Sequence, residues 1–570
     1  MKTIAIIGGG AAGLAAAVAA AEAVRAGVGE AAAETVRGVS DGVSVVVYEA
    51  SDRVGRSILA TGNGRCNFSN ADVTADVYRN PGFVGDALLE FEAEAQRRLP
   101  AADRSHPQGV LDFFAAHGLL RREEGEGRLY PLANKATSVL DCLRAAAAAT
   151  GVEERPECEV VRVEAPRGPG GRFTLRLVDG RFERADRVIV AVGGTIARDL
   201  LPDGVPWTHP EPTLGPLATE TRWAKMLDNI RVRGALSLWR ADKSRDDEPP
   251  VGLAGNGGRG LVSPCDVERR GDDLVVPTDT FCGVQRKSAT ANRFDDGDST
   301  CRDRRQEDGR GDDHARLEEL SRRGLLPEWH EGESLVAVER GEVMFRKYGL
   351  SGIAAFNMSR LARPGDVLAV DFLPAVREVD AAAFLNRRRK VLRASLGRAV
   401  TWDDMLRGMV LTPVADVLLK ASGLRGDAEV AKGDTARMAP HLKALRFPVT
   451  GLGDPRQCQV HRGGVAVEAM DGRSCEVRAV PGLFVVGEAL DVDAPCGGYN
   501  LHWAWASGLL AGWRAAASLV GEGADKSDVA GMRSTEVGAR VPGGSSEVNA
   551  VAQGDAVRAD GPTSAEGGRR

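Results

Sequence analysis

The chain opens Lys2-Thr-Ile-Ala-Ile-Ile-Gly8-Gly9-Gly10-Ala-Ala12-Gly13-Leu14, an apolar strand running straight into a glycine turn and then an Ala-rich helix. Gly8 allows the tight turn, Gly10 lets the backbone approach a pyrophosphate, and Gly13 lets the helix pack on the strand. The helix N-terminus adds unpaired N–H groups and the positive end of its dipole. Gly8, Gly10, Ala12 and Gly13 are therefore the candidate dinucleotide cradle. The spacing recurs at Gly255-Asn-Gly257-Gly-Arg-Gly260, but Leu-Val-Ser-Pro follows it, so that copy reads as loop. Only the first copy has a strand before it, a helix after it and a second strand, Val43-Ser-Val-Val-Val-Tyr-Glu49, ending in an acid able to accept ribose hydroxyls. Glu49 stands 36 residues after Gly13, where a compact unit has about 20. The excess is assigned to an extension of the helix and its loop from Arg25 to Asp41.

Thr3 to Ala21 carries no charge and follows Lys2, the outline of a signal peptide or membrane helix. Three consecutive glycines and the modest hydrophobicity of alanine argue against both. The net charge of −6, with both signs interleaved, gives no footprint for nucleic acid or an anionic membrane. A small-molecule substrate is expected instead, with the oligomeric state left open. The nine cysteines show no C-x-x-C spacing, so neither a metal site nor a disulfide framework is expected, and the setting reads as cytoplasmic.

The expected fold is α/β: a discontinuous Rossmann-like unit with a β-barrel-like insertion and a nested helical piece. Strand-helix alternation covers 1–200, with helices near Asp86 to Leu99 and Ala136 to Thr150 and strands at Glu159–Glu164, Phe173–Val178 and Arg187–Val192. Short strands dominate 201–375, interrupted by an Asp/Arg/Gly-rich stretch, 241–333, that reads as a disordered insert. Residues 376–445 read helical, with Leu385, Val391, Leu392, Leu396, Met405, Leu406, Val417 and Leu418 spaced for one buried face. After a return through the β part at 446–475, residues 476–520 rejoin the first unit, and 521–570 reads as a disordered tail without aromatic residues. In the rejoining segment, Val480-Pro-Gly-Leu-Phe-Val-Val-Gly487-Glu488 is a buried strand ending in an acid, and Gly497-Gly-Tyr-Asn500-Leu501 leads into an amphipathic helix.

Ligands of open α/β sheets bind off the carboxyl ends of strands, so Gly8, Glu49 and Glu488 converge on one crevice. A late strand ending Gly-Glu suits the long, bent FAD: Glu488 accepts a ribitol hydroxyl, and the helix starting near Asn500 turns its dipole toward the flavin.

Three motifs sharpen this. Val54-Gly55-Arg56-Ser57-Ile-Leu-Ala-Thr-Gly62-Asn-Gly64-Arg65-Cys66-Asn67-Phe-Ser-Asn70, Gly341-Glu-Val-Met-Phe-Arg-Lys-Tyr-Gly349-Leu-Ser-Gly352 and Gly487-Glu-Ala-Leu-Asp491 through Gly497-Gly-Tyr-Asn500 together resemble the BaiN/YhiN-like flavoproteins, some labelled aminoacetone oxidase-like. The resemblance covers about Met1–Leu217 and Glu339–Ala515 and implies bacterial FAD-dependent NAD(P)/FAD oxidoreductases of three-part architecture. It implies that Gly8, Gly10 and Gly13 hold pyrophosphate and Glu49 the adenosine ribose. Arg56 and the loop with Gly64, Arg65 and Asn67 approach the FAD, the Val160 backbone contacts adenine, and Gly487, Glu488, Asn500 and Leu501 close the flavin end. Two departures stand out: Ser57 replaces the usual Lys, and the segment between Gly194 and His209 is short.

The catalytic residue stays open. Cys66 invites a redox-thiol reading and Tyr499 a proton-donor reading, each against simple packing beside the cofactor. His209, His461 and His502 are possible acids or bases, each ordinarily a surface or packing residue. The leading expectation is a reductase passing electrons from NAD(P)H through FAD to a small organic substrate, such as one with an activated C=C bond. The alternatives are an oxygen-using amine oxidase, since no second Rossmann motif marks a nicotinamide domain, and a flavin-binding protein with a regulatory role.

Overall fold

The computed structural model describes residues 1–27, 42–100, 108–168, 170–241 and 332–531, with side chains through Leu519. Met1–Val520 forms one compact unit; of the second, Gly521–Arg570, only the first residues are described, as helix.

A seven-stranded sheet forms the floor of the molecule. Its parallel core runs Leu483–Val485, Arg187–Val190, Lys2–Ile7, Val43–Tyr48, Glu153–Arg155, and two short antiparallel strands, Glu476–Val477 and Met470–Asp471, extend one edge. The first and last thirds of the chain therefore build one sheet. Helix Ala11–Gly27 is buried almost all round from Leu14 to Ala21, which accounts for the uncharged N-terminus: the stretch is buried between other elements. Helix Tyr499–Gly531 lies so close that a Cβ on Gly508 or Gly512 would stand 2.4 Å from the Ala12 or Ala16 carbonyl oxygen. Alanine and glycine are the residues that such contact permits.

Residues Val160–Glu164, Phe173–Leu177 and Phe182–Ala185, read from sequence as part of the wound unit, form a separate three-stranded antiparallel sheet. Their short connections allow hairpins, whereas parallel neighbours need a long crossover. A third small sheet joins Ser69–Asn70, Arg128–Pro131 and Arg121–Glu124.

The insertion is a closed barrel of six strands: Leu217–Thr219, Gly349–Ser351, Glu333–Arg346, Arg231–Ala241, Val367–Asp371 and Leu445–Leu452. Helices Glu378–Leu396, Trp402–Leu406, Thr412–Ser422 and Asp434–Lys443 cap it, and Trp402, Met405 and Leu418 share one core with barrel residues Leu236, Phe345 and Phe447. Two residues assigned to the buried face are not on it: Val391 is 53% exposed and Leu396 42%. Val391 lies about 240° round the helix from buried Leu385, and Leu396 is the last helical residue, just before Gly397.

The expected insert 241–333 begins and ends one residue too wide, because Ala241 and Glu333 are paired strand residues; 242–331, including the second glycine motif, lie outside the described residues, as do 28–41. The tail expected from 521 starts inside helix Tyr499–Gly531, and 532–570 lie outside the described residues. That helix, expected to be amphipathic, is instead buried on nearly every side through Leu519, with Trp503, Trp505 and Trp513 all enclosed. Among the described residues no helix is long and apolar enough to cross a membrane.

Candidate functional site

A cavity of about 990 Å³ opens where the parallel strands end. The first strand ends in Gly8, whose φ of +101° is left-handed and whose N–H donates to the Tyr48 carbonyl at 2.8 Å. A Cβ at Gly13 would sit 1.9 Å from the Gly8 carbonyl oxygen, so helix and turn touch backbone to backbone. At Gly10 the only near neighbour of a Cβ is the Ser57 hydroxyl, at 3.2 Å. The space over Gly10 is left to the cavity. Glu49, beyond the second strand, is pre-aimed: its Oε2 accepts the Gly9 N–H at 2.7 Å and its Oε1 the Ser51 N–H at 2.8 Å.

Four separate stretches converge on this wall. Gly8, Gly10, Ala12, Glu49 and Arg56 come from the N-terminal turn and its neighbours, Arg65 and Asn67 from the following loop, Glu488 from the late strand, and Asn500 and Leu501 from the start of the last helix. Arg65 is held by the Asn134 amide oxygen at 2.6 Å, by Glu124 and by stacking 4.1 Å over the Tyr130 ring. Asn500 instead faces the protein: its amide spans Ala494, accepting from N at 2.9 Å and donating to O at 2.8 Å, so it fixes the loop before the helix.

Gly13, Gly64, Cys66, Val160 and Gly487 stand outside the wall. Gly13 and Gly487 pack the elements behind it, and a Cβ on Gly487 would come 3.0 Å from that of Ala12. Cys66 is fully buried, and burial pushes its thiol up to about 11, a protonated group at neutral pH. Tyr499 lines a neighbouring cavity and receives the Tyr78 hydroxyl on its carbonyl at 2.9 Å. His502 is buried against the Ser69 hydroxyl at 2.9 Å, and burial pulls it down to about 4, so it stays neutral.

His461, one of three histidines that sequence could not rank, meets Glu488. The strand pair Trp207–Thr213 and Val460–Val465 places it opposite Pro212. Its backbone N–H donates to Glu488 Oε1 at 2.6 Å and its Nδ1 lies 3.1 Å from the same oxygen. That hydrogen bond raises the imidazole above its ordinary range, against burial. Gly194 makes room: a Cβ there would lie 2.3 Å from Glu488 Oε1 and 2.6 Å from His461 Nδ1. The Val192-Gly-Gly194 run was the only sequence signal of this crowding.

The wall fits FAD on its own terms. The cradle is backbone with only the Ser57 hydroxyl close to Gly10, Glu49 is pre-oriented, and Asn67 Oδ1 is a buried acceptor in the wall with no partner in the protein. Such an orphan costs free energy unless a ligand donor meets it. Bound there, FAD would supply two-electron chemistry, and Gly8–Ala12 would be placed to hold its pyrophosphate and Glu49 and Glu488 its hydroxyls.

A Rossmann-like sheet whose glycine turn and late Gly-Glu turn flank one cavity defines an FAD-binding flavoprotein. The chain belongs to the HI0933-like protein Rossmann domain family, whose model matches residues 2–514. It is 29% identical over 537 residues to the 3-dehydro-bile acid delta(4,6)-reductase of Clostridium scindens, covering 91% of this chain and 99% of that protein. It is 24% identical over 491 residues to the ribosomal RNA dihydrouridine synthase of Escherichia coli, covering 84% and 92%. The corresponding protein of Haemophilus influenzae is 22% identical over 471 residues, covering 82% and 91%. The chain is a flavin-dependent oxidoreductase.

Proposed function

We propose that this chain uses FAD to reduce a C=C bond conjugated to a carbonyl, with electrons from NAD(P)H. The observation that carries the reading is full-length similarity to relatives whose names, a delta(4,6)-reductase and a dihydrouridine synthase, both describe reduction of a C=C bond. Steroid and RNA have little else in common. Hydride addition to such a bond needs an electron sink, which a conjugated carbonyl provides. The residues argued to hold FAD are Gly8, Gly10, Ala12, Glu49, Arg56, Arg65, Asn67, Glu488, Asn500 and Leu501, with Gly13, Gly64, Val160 and Gly487 supporting them.

A small acceptor is favoured over RNA, because the chain lacks the basic excess that phosphate backbones select. The rRNA relatives keep RNA as the second reading. Anaerobic mixing of the FAD-loaded protein with NADH and NADPH tests the donor; bleaching of the flavin is expected with one of them. Conjugated cyclic enones and unmodified rRNA then compete as acceptors, read by the gain of two hydrogens. Bleaching by amines but not by nicotinamides would replace this reading with an amine oxidase, and reduction of rRNA alone would replace the small acceptor.

A further inference from the structure

Two cavities meet in this molecule. The one at the ends of the parallel strands shares Glu126, Arg128, Ile353, Cys496 and Gly497 with a second of about 1220 Å³. The second is walled by the barrel strand at Ala337–Arg340, by helix Ile353–Ser359 and by Arg79 through Phe83, where the helix Pro81–Arg98 begins. Among the described residues Arg128 is the one cation in both walls.

Arg128 is placed with care. It opens the strand Arg128–Pro131 directly opposite Asn70. Asn70 is buried, and its amide Nδ2 donates to the Glu126 carbonyl at 3.0 Å and the Gly497 carbonyl at 2.9 Å. One amide thus ties the Arg128 hairpin to the loop that separates the cavities. The turn before it takes left-handed φ at Glu126 (+65°) and Gly127 (+66°), and a Cβ at Gly127 would stand 2.6 Å from Asn70 Oδ1. Arg128 Nε donates to the Gly125 carbonyl at 2.9 Å, which fixes the guanidinium to its own turn. Its carboxylate partner, Glu126 at 3.2 Å, is 71% exposed against 24% for Arg128, so solvent competes for the acid more than for the arginine. Burial pushes the thiol of Cys496, another shared residue, up to about 12, with the Arg128 charge among the smaller effects that oppose it.

We infer that the second cavity is the acceptor chamber and that Arg128 holds the acceptor's carbonyl oxygen where the two cavities join. This rests on the reductase reading. In conjugate reduction the acceptor gains hydride at the carbon β to the carbonyl, the two electrons coming from reduced flavin. The displaced π pair gathers on the carbonyl oxygen, and a solvent proton at the α carbon restores the carbonyl. A guanidinium at that oxygen meets the charge where it develops.

The test needs no turnover. A phenolate carries the same charged oxygen and, stacked on oxidised flavin, gives a long-wavelength charge-transfer band. Titration of FAD-loaded protein with 4-chlorophenol is expected to give that band, with affinity weakened about tenfold or more in Arg128→Gln. Arg128→Lys should stay within roughly threefold of wild type, since it keeps the charge. Equal affinity in Arg128→Gln with FAD retained, or no band in the wild type, overturns the assignment. If Arg128→Gln loses FAD, Ile353→Trp narrows the junction from the barrel side: loss of the band with FAD retained supports the chamber, and an unchanged band overturns it. C=C reduction without Arg128-dependent phenolate binding leaves the reductase reading standing and removes this one. Arg128-dependent binding without reduction of any acceptor removes the reductase reading and leaves Arg128 only as an anion-binding residue at the junction.

Discussion

His461 gives both its backbone N–H and its ring Nδ1 to a single oxygen of Glu488. An ionised carboxylate only accepts, so the contact fixes a proton on Nδ1 and leaves Nε2 to the remainder of the site. In Glu488→Gln the imidazole is expected to titrate lower, back toward its ordinary range, because its upward shift comes first from that hydrogen bond. NMR titration of the ring protons reads this directly. FAD affinity should fall as well, since a hydrogen bond to a charged group is worth about 1.5–3 kcal/mol; an unchanged imidazole and unchanged affinity would detach Glu488 from both roles.

Gly10 and Gly13 sit three residues apart and should fail differently. A Cβ on Gly13 runs into the Gly8 carbonyl, so Gly13→Ala should destabilise the apoprotein by roughly 1–3 kcal/mol through overpacking. A Cβ on Gly10 meets only the Ser57 hydroxyl, at 3.2 Å, so Gly10→Val has far less backbone to collide with. It should fold normally yet lose FAD by more than about tenfold, because its side chain occupies ligand space. Denaturation of the apoproteins and FAD content after gel filtration separate the two; normal FAD retention in Gly10→Val would misplace the cradle.

Glu92 links stability to pH. Burial pushes its carboxyl up to about 7, although its Oε2 accepts the Gly109 N–H at 2.8 Å. The folded state therefore keeps the proton that the unfolded state gives up at lower pH. Its contribution is intact below about pH 4.5 and lost as pH rises through 7. Glu92→Gln mimics the protonated form and should be close to wild type at acid pH but more stable by roughly 2 kcal/mol at mildly alkaline pH. Urea midpoints at the two pH values check it, and equal differences at both would remove Glu92 from the linkage.

The barrel hairpin closes on its own register. Ala241 pairs with Glu333 at the ends of two long strands, so a short Gly/Ser linker can replace 242–331 without moving either strand. Such a protein is expected to keep its FAD, since loop-closure entropy changes by only about 0.6 kcal/mol per doubling of length. Loss of both folding and FAD would show that the replaced residues are structural.

What sequence revealed was local. The glycine turn, the acid ending the second strand, the helix Ala136–Thr150 and the Gly487-Glu488 turn each rest on neighbours within a few residues. Val391 and Leu396 were misjudged because apolar character does not say which side of a helix meets a partner. The antiparallel sheet of Val160–Ala185 was misjudged because strand propensity does not choose a neighbour. Arg128, Asn70 and Gly497 were invisible as a group: Asn70 and Gly497 lie 427 residues apart and meet only through the finished tertiary structure.

Chain order also sets a timetable for synthesis. The strand Arg187–Val190 waits for its neighbour Leu483–Val485, and the Phe68 carbonyl waits for the Trp505 indole that donates to it at 2.9 Å. A nascent chain that has emerged only as far as the barrel carries the glycine turn but neither Glu488 nor the helix that follows. The crevice is therefore expected to close late in synthesis, only after Glu488 and the helix that follows have left the ribosome.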